Sequence, residues 1–176
     1  MAFSGFDQTK ALMIVGVAID HYDTYMGEIN YSTVRNIDLI WDKWDVGTPP
    51  PVTGHFRPII MLHIDGCGVF SGSDCDLRRM QYYVLEATPG DYRLVTLKSR
   101  VFNVHNQTTV MDNAQLITHF GPGEIIYIGD LTLNAADSPI RPVRFARNDA
   151  AARQVLAGYP NIRGDIVFRQ PFVIPR

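Results

Sequence analysis

Two stretches decide the fold: Ala87-Thr88-Pro89-Gly90-Asp91-Tyr92-Arg93-Leu94 and Gly121-Pro122-Gly123-Glu124-Ile125-Ile126-Tyr127-Ile128-Gly129-Asp130. Each opens on a Pro-Gly turn and runs into a strand. Proline presets φ near −65°, and glycine supplies the positive φ of a tight turn. Tyrosine and β-branched residues follow, as a pleated and half-buried surface requires. In the first strand Tyr92, Leu94 and Thr96 share one face, and Arg93, Val95 and Leu97 the other. In the second, Ile125, Tyr127, Gly129 and Leu131 alternate with Ile126, Ile128 and Asp130. Both faces are apolar enough to be buried, as in a central strand. Tyr92 and Tyr127, alike in their placement after a turn, are expected in the core on neighbouring strands.

Outward from these stretches, turn signals recur among short runs of Val, Ile and aromatic residues. The predicted strands are Ala11–Ile19, Val34–Trp41, Arg57–Ile64, Gln81–Ala87, Tyr92–Val101, Ala114–Phe120, Glu124–Leu133 and Asp165–Phe168. One helix is expected after Asn148, a capping residue. Asp149 suits its positive end, Ala150-Ala151-Ala152 has high propensity, and Gly158 with Pro160 stops it. Ala152, Val155 and Leu156 are expected to face the sheet. Many short strands and one helix predict a mostly antiparallel β-sandwich with a short α-helix near the C-terminus. The 176 residues are read as one domain, 1–176. Thr48-Pro49-Pro50-Pro51 reads as a stiff spacer between strands.

A net charge of −2 supplies no global attraction to nucleic acid or membrane. The distribution is uneven. Residues 141–176 hold seven arginines against Asp149 and Asp165, a local +5, and the remainder is −7. These arginines form either a patch for phosphate or lipid headgroups or a scattered solvated set. No apolar run reaches the eighteen or so residues of a membrane-spanning helix. Ala11–Ala18 follows Lys10 and superficially imitates a signal peptide, but Asp7 and a single lysine suit a buried first strand better.

No nucleophile elbow and no phosphate-cradling glycine loop occurs. In a strand, His63 and Asp65 share one face, which could support a metal or an acid–base pair. His21, beside Asp20, is the candidate third member. No metal site is expected, since no third ligand is evident and two cysteines lack convincing partners. No cofactor is expected either. Glu124 and Asp130 lie six apart, about 20 Å by strand rise, too far to act as a close pair. Glu124 is expected to bond backbone groups at its turn, and Asp130 to hold the following loop. Tyr22, Tyr25, Tyr31 and Trp44 are the candidate binding residues, because aromatic faces stack on sugars or pack against proteins. Asp23, Glu28, Asp42 and Asp45 among them argue against nucleic acid. Cys67 and Cys75 stand in a glycine-rich stretch, as a disulfide closing a small loop or as two free thiols.

The two turn-and-strand phrases resemble a family of uncharacterised bacterial lipoprotein-like domains. Pro89, Gly90 and Tyr92 fill its P-G-x-Y turn. Gly123, Glu124, Tyr127, Gly129 and Asp130 fill its G-E-x-x-Y-x-G-D phrase, with Phe120 as the leading aromatic. Residues 149–160 resemble the helix that follows, so the resemblance spans roughly 80–165. It implies export and an envelope or periplasmic location given an upstream signal, and a cytoplasmic one without it. It also favours the disulfide, and carries no activity. The expected function is a non-enzymatic envelope-associated accessory or binding domain, its partner an envelope protein or glycan. Two alternatives stand beside it: a small metal-dependent or acid–base hydrolase using His21, His63 and Asp65, and a structural subunit that associates through sheet edges.

Overall fold

A computed structural model describes residues 6–20, 34–44, 60–65, 77–101, 107–110, 117–134 and 140–170. Among the described residues, ten strands and one helix follow in the order β1 (Ala11–Asp20), β2 (Val34–Trp44), β3 (Ile60–Asp65), β4 (Gln81–Ala87), β5 (Gly90–Val101), β6 (Gln107–Val110), β7 (Thr118–Phe120), β8 (Ile125–Asn134), β9 (Arg141–Ala146), α1 (Asp149–Ala157) and β10 (Ile166–Phe168). The strands form two five-stranded sheets packed face to face, as expected of a mostly-β sandwich.

The first sheet runs β10-β8-β1-β4, with β9 pairing the later half of the β8 edge that β10 occupies. The second runs β3-β2-β5-β6, with β7 beside the start of β5. The second sheet is antiparallel throughout. The first is mixed: β8 lies parallel to both β1 and β10. The Gly123 N–H donates to the Lys10 carbonyl at 2.7 Å, and the Leu12 N–H to the Glu124 carbonyl at 2.9 Å. Those bonds start β1 and β8 side by side at the same end. Two strands, β6 and β9, went unforeseen. Gln107–Val110 is short and polar, and Arg141–Ala146 carries two arginines and a proline, so neither has an apolar alternation to read.

Between the sheets, Met13, Val15, Val17 and Ile19 of β1 and Ile126, Ile128, Leu131 and Leu133 of β8 pack against the second sheet. Their partners include Ile37, Leu39 and Trp41 of β2, Ile60, Leu62 and Ile64 of β3, and Leu94 and Leu97 of β5. The other face of the first sheet buries Leu12, Ile14, Ile125 and Tyr127 beneath Ala152 and Ile162. Asn148 caps α1 by accepting from the Ala151 N–H at 3.1 Å. Ala152 is fully buried, with Leu156 packed beside it one turn later; Val155 stands outside that cluster. Layers therefore run sheet, sheet, helix, and β1 and β8 are buried on both faces.

Tyr92 and Tyr127 are both 0% exposed, but they stand on β5 and β8, in different sheets. Tyr92 packs edge-on against Phe120 with ring centroids 5.0 Å apart. Its phenol donates to the Thr88 carbonyl at 2.7 Å, tying the strand back to its Pro-Gly turn.

The expected alternation in β8 fails at one point. Gly129 has φ of 101° and inserts an extra residue, so that Ile14 faces Tyr127 and Gly16 faces Asp130. This bulge turns Asp130 onto the helix side of the sheet and Leu131 onto the inter-sheet core. A Cβ at Gly129 would overlap the Phe145 ring.

Candidate functional site

β3 alternates strictly: Ile60, Leu62 and Ile64 point into the core, and Met61, His63 and Asp65 point out. On the paired strand, Asp38 stands directly opposite His63. The His63 Nδ1 lies 2.5 Å from Asp38 Oδ1, and Nε2 lies 3.1 Å from Asp65 Oδ1. The expected pairing of His63 with Asp65 is thus present, and Asp38 is a member that sequence reading missed. Its signal was a polar position between Ile37 and Leu39 in β2. Register across strands, which no local pattern states, brings it to His63. The row continues through Lys98 of β5, opposite Asp38, to Thr108 of β6.

The cluster is open, with the His63 side chain 45% exposed. The hydrogen bond to Asp38 pushes its pKa up; partial burial opposes this, and Asp65 adds to the rise. With a carboxylate at each ring nitrogen, the favoured form is an imidazolium donating twice. Such a group can offer a proton or a positive charge at the surface, but has no free ring nitrogen to take a proton from a nucleophile.

The topology also sorts the other candidates. Thr88 and Pro89 alone join β4 of one sheet to β5 of the other. From that tight end, β1 and β5 run to the opposite end, where β1 and β3 finish and β2 begins. At that opposite end β5 and β8 also finish, and β4, β6 and β9 begin. His21, Tyr22, Tyr25, Tyr31, Cys67 and Cys75 lie outside the described residues. His63 and Asp65 close β3 at the same end. Trp44 ends β2 at the other end, opposite Asp91, about 33 Å from Val34 by strand rise.

A second polar cluster is buried. Asp130, 5% exposed, accepts from Tyr127 at Oδ1 (2.5 Å) and from Tyr82 at Oδ2 (2.9 Å). The Asn148 N–H donates to the Tyr127 oxygen at 3.1 Å, linking the cluster to the start of α1. Gly16 lies against the carboxylate, where a Cβ would overlap it. Burial, followed by the Asp130 hydrogen bond, pushes both phenols well above the ordinary tyrosine range. Asp130 thus clamps β4, β8 and α1, where a hold on the following loop had been expected.

Two further pairs of titratable groups stand near the ends of β7 and β10. Glu124 bonds the Gly121 N–H at 2.7 Å, as its place in the turn suggests. It also takes a two-pronged bond from Arg169, at 2.7 and 2.9 Å, which holds its carboxyl below the usual range. His119 Nδ1 lies 2.7 Å from Asp91 across β5 and β7. Among the described residues, no group of three or more His, Cys, Asp or Glu side chains is arranged to hold a metal ion, and no helix is long and apolar enough to cross a membrane. A scan against protein-family models and searches of curated proteins and of solved structures return no match to this chain.

Proposed function

We propose that this chain is a non-enzymatic binding domain of the cell envelope that recognises an envelope glycan or protein at one end of its sandwich. One observation carries the proposal. The His63–Asp38–Asp65 cluster stands at the end where β1 and β3 finish and β2 and β4 begin, the strands that bound in sequence the stretches bearing Tyr22, Tyr25, Tyr31 and the two cysteines. Connections at one end of a rigid sandwich are a common recognition surface. Such a surface combines aromatic faces for sugar rings with charged donors and acceptors for hydroxyls and amides. The envelope location rests on the resemblance of the Pro-Gly-x-Tyr and Gly-Glu-x-x-Tyr-x-Gly-Asp phrases.

Co-sedimentation with purified bacterial cell-wall glycan tests the proposal. Retention of the wild-type chain, and its loss in Tyr22→Ala/Tyr25→Ala/Tyr31→Ala with an unchanged unfolding midpoint, is the expected result. Equal retention of both proteins overturns the aromatic site.

The 2.5 Å Asp38–His63 contact favours a second reading, a small hydrolase with His63 as its general acid. Turnover of nitrophenyl esters or phosphates by the wild type, abolished in His63→Ala, would establish it. Assembly through the β9 edge is less well supported, since Arg141, Pro142 and Arg144 blunt that strand against pairing.

A further inference from the structure

We infer that the groove between α1 and β10 is a binding site for a phosphate monoester bearing an apolar or ring-shaped group. The groove has a volume of about 600 Å3 and is lined by Arg153, Leu156, Tyr159, Ile162, Arg163 and Asp165, among others. That volume suits a small ligand, whose sites span about 300–1,000 Å3. It lies on the helix side of the first sheet, separate from the sandwich end argued above.

The lining divides by chemistry. Arg153 comes from α1 and Arg163 from the segment that leads to β10, so arginines line the groove from two elements. A guanidinium matches two phosphate oxygens at once through parallel N–H donors. Asp149 attracts Arg153 but already accepts from Arg147, whose Nε lies 2.9 Å from each carboxylate oxygen and whose Nη2 lies 2.8 Å from Oδ2. Leu156, Ile162 and Ile166 supply an apolar wall, and Tyr159 adds an aromatic one. These surfaces suit the organic part of a monoester and do nothing for inorganic phosphate. Asp165 contributes one carboxylate to the same lining. It can accept from a ligand hydroxyl and repels a second anionic group, which favours a single phosphate. Arg153 and Arg163 against Asp165 leave the lining with a net positive charge, which draws anions locally.

Titration of the full chain with phenyl phosphate, followed by amide NMR, tests the site. Saturable shifts are expected at Ile162, Gly164 and Ile166, with phenyl phosphate binding at least about tenfold more tightly than inorganic phosphate or phenol. Arg153→Gln/Arg163→Gln should weaken binding at least about tenfold, the loss of one charge-assisted contact or more. Raising salt from about 50 to 200 mM should weaken wild-type binding too, because the contact is ionic; this arm holds even if the double variant folds poorly. Sedimentation with vesicles containing phosphatidic acid, whose headgroup is a phosphate monoester, identifies the source. Arginine-dependent sedimentation assigns the monoester to a lipid headgroup, and phenyl phosphate binding without sedimentation assigns it to a soluble molecule. Absent or non-saturable shifts, binding indifferent to both arginines and salt, or equal affinity for inorganic phosphate overturns the inference.

Discussion

Tyr127 and Asp130 stand three residues apart on one strand, yet the phenol of the first donates to the carboxylate of the second at 2.5 Å. In a regular strand, residues three apart point to opposite faces. The bulge at Gly129 cancels that alternation and puts both groups under α1. A buried carboxylate is costly without donors, and Tyr127 and Tyr82 supply two.

Gly129→Ala is expected to destabilise by about 2 kcal/mol or more, since a positive φ and a Cβ meeting the Phe145 ring act together. Urea unfolding of the variant measures it. A midpoint equal to wild type would show that the bulge is not held as described.

Tyr127→Phe removes a donor to Asp130 and the acceptor of the Asn148 N–H. A loss of about 1–3 kcal/mol is expected. Hydrogen exchange should rise first at Asn148 and the opening turn of α1. Uniform acceleration across both sheets would contradict the local clamp.

Both phenols have raised pKa values in the folded protein. The stability they contribute is therefore fully present below the ordinary phenol value of about 10. It is lost as pH rises through the folded-state values. Thermal midpoints should fall above about pH 10, and fall less steeply in Tyr82→Phe/Tyr127→Phe. Identical slopes in the two proteins would count against the pair.

His63 also has a raised pKa, chiefly through Asp38. Its contribution is present below the ordinary value of 6.5 and fades as pH rises through the raised folded value. The group is exposed, so the effect on stability is small, and NMR titration of the imidazole is the sharper readout. Asp38→Asn should bring the midpoint down toward the ordinary value. An unchanged midpoint in that variant would remove Asp38 as the cause.

Arg169 joins the end of β10 to Glu124 by two bonds and also donates to the His119 carbonyl. Arg169→Lys cannot reproduce the fork. It should release the β10 amides to faster exchange at a global cost below about 1 kcal/mol. Protection at Val167 and Phe168 equal to wild type would refute the role.

The sequence by itself determined the elements whose signals are local. Pro89-Gly90 and Pro122-Gly123 mark turns because φ is a property of single residues. The apolar runs of β1, β5 and β8 mark buried strands because side-chain direction has a period of two. Asn148 and Gly158 mark a helix because capping is made within four residues. His63 and Asp65 were legible as a pair for the same reason, both lying on one strand face. Tertiary structure alone decided what depends on pairing between distant segments: that β8 runs parallel to β1, that Asp38 stands opposite His63, and that Tyr82 meets Asp130 across 48 residues. The Gly129 bulge belongs there too, because a glycine in a strand does not state whether the ladder shifts until its partner strand is in place. Those relations arise from register and from burial of whole faces, which no short window of sequence contains.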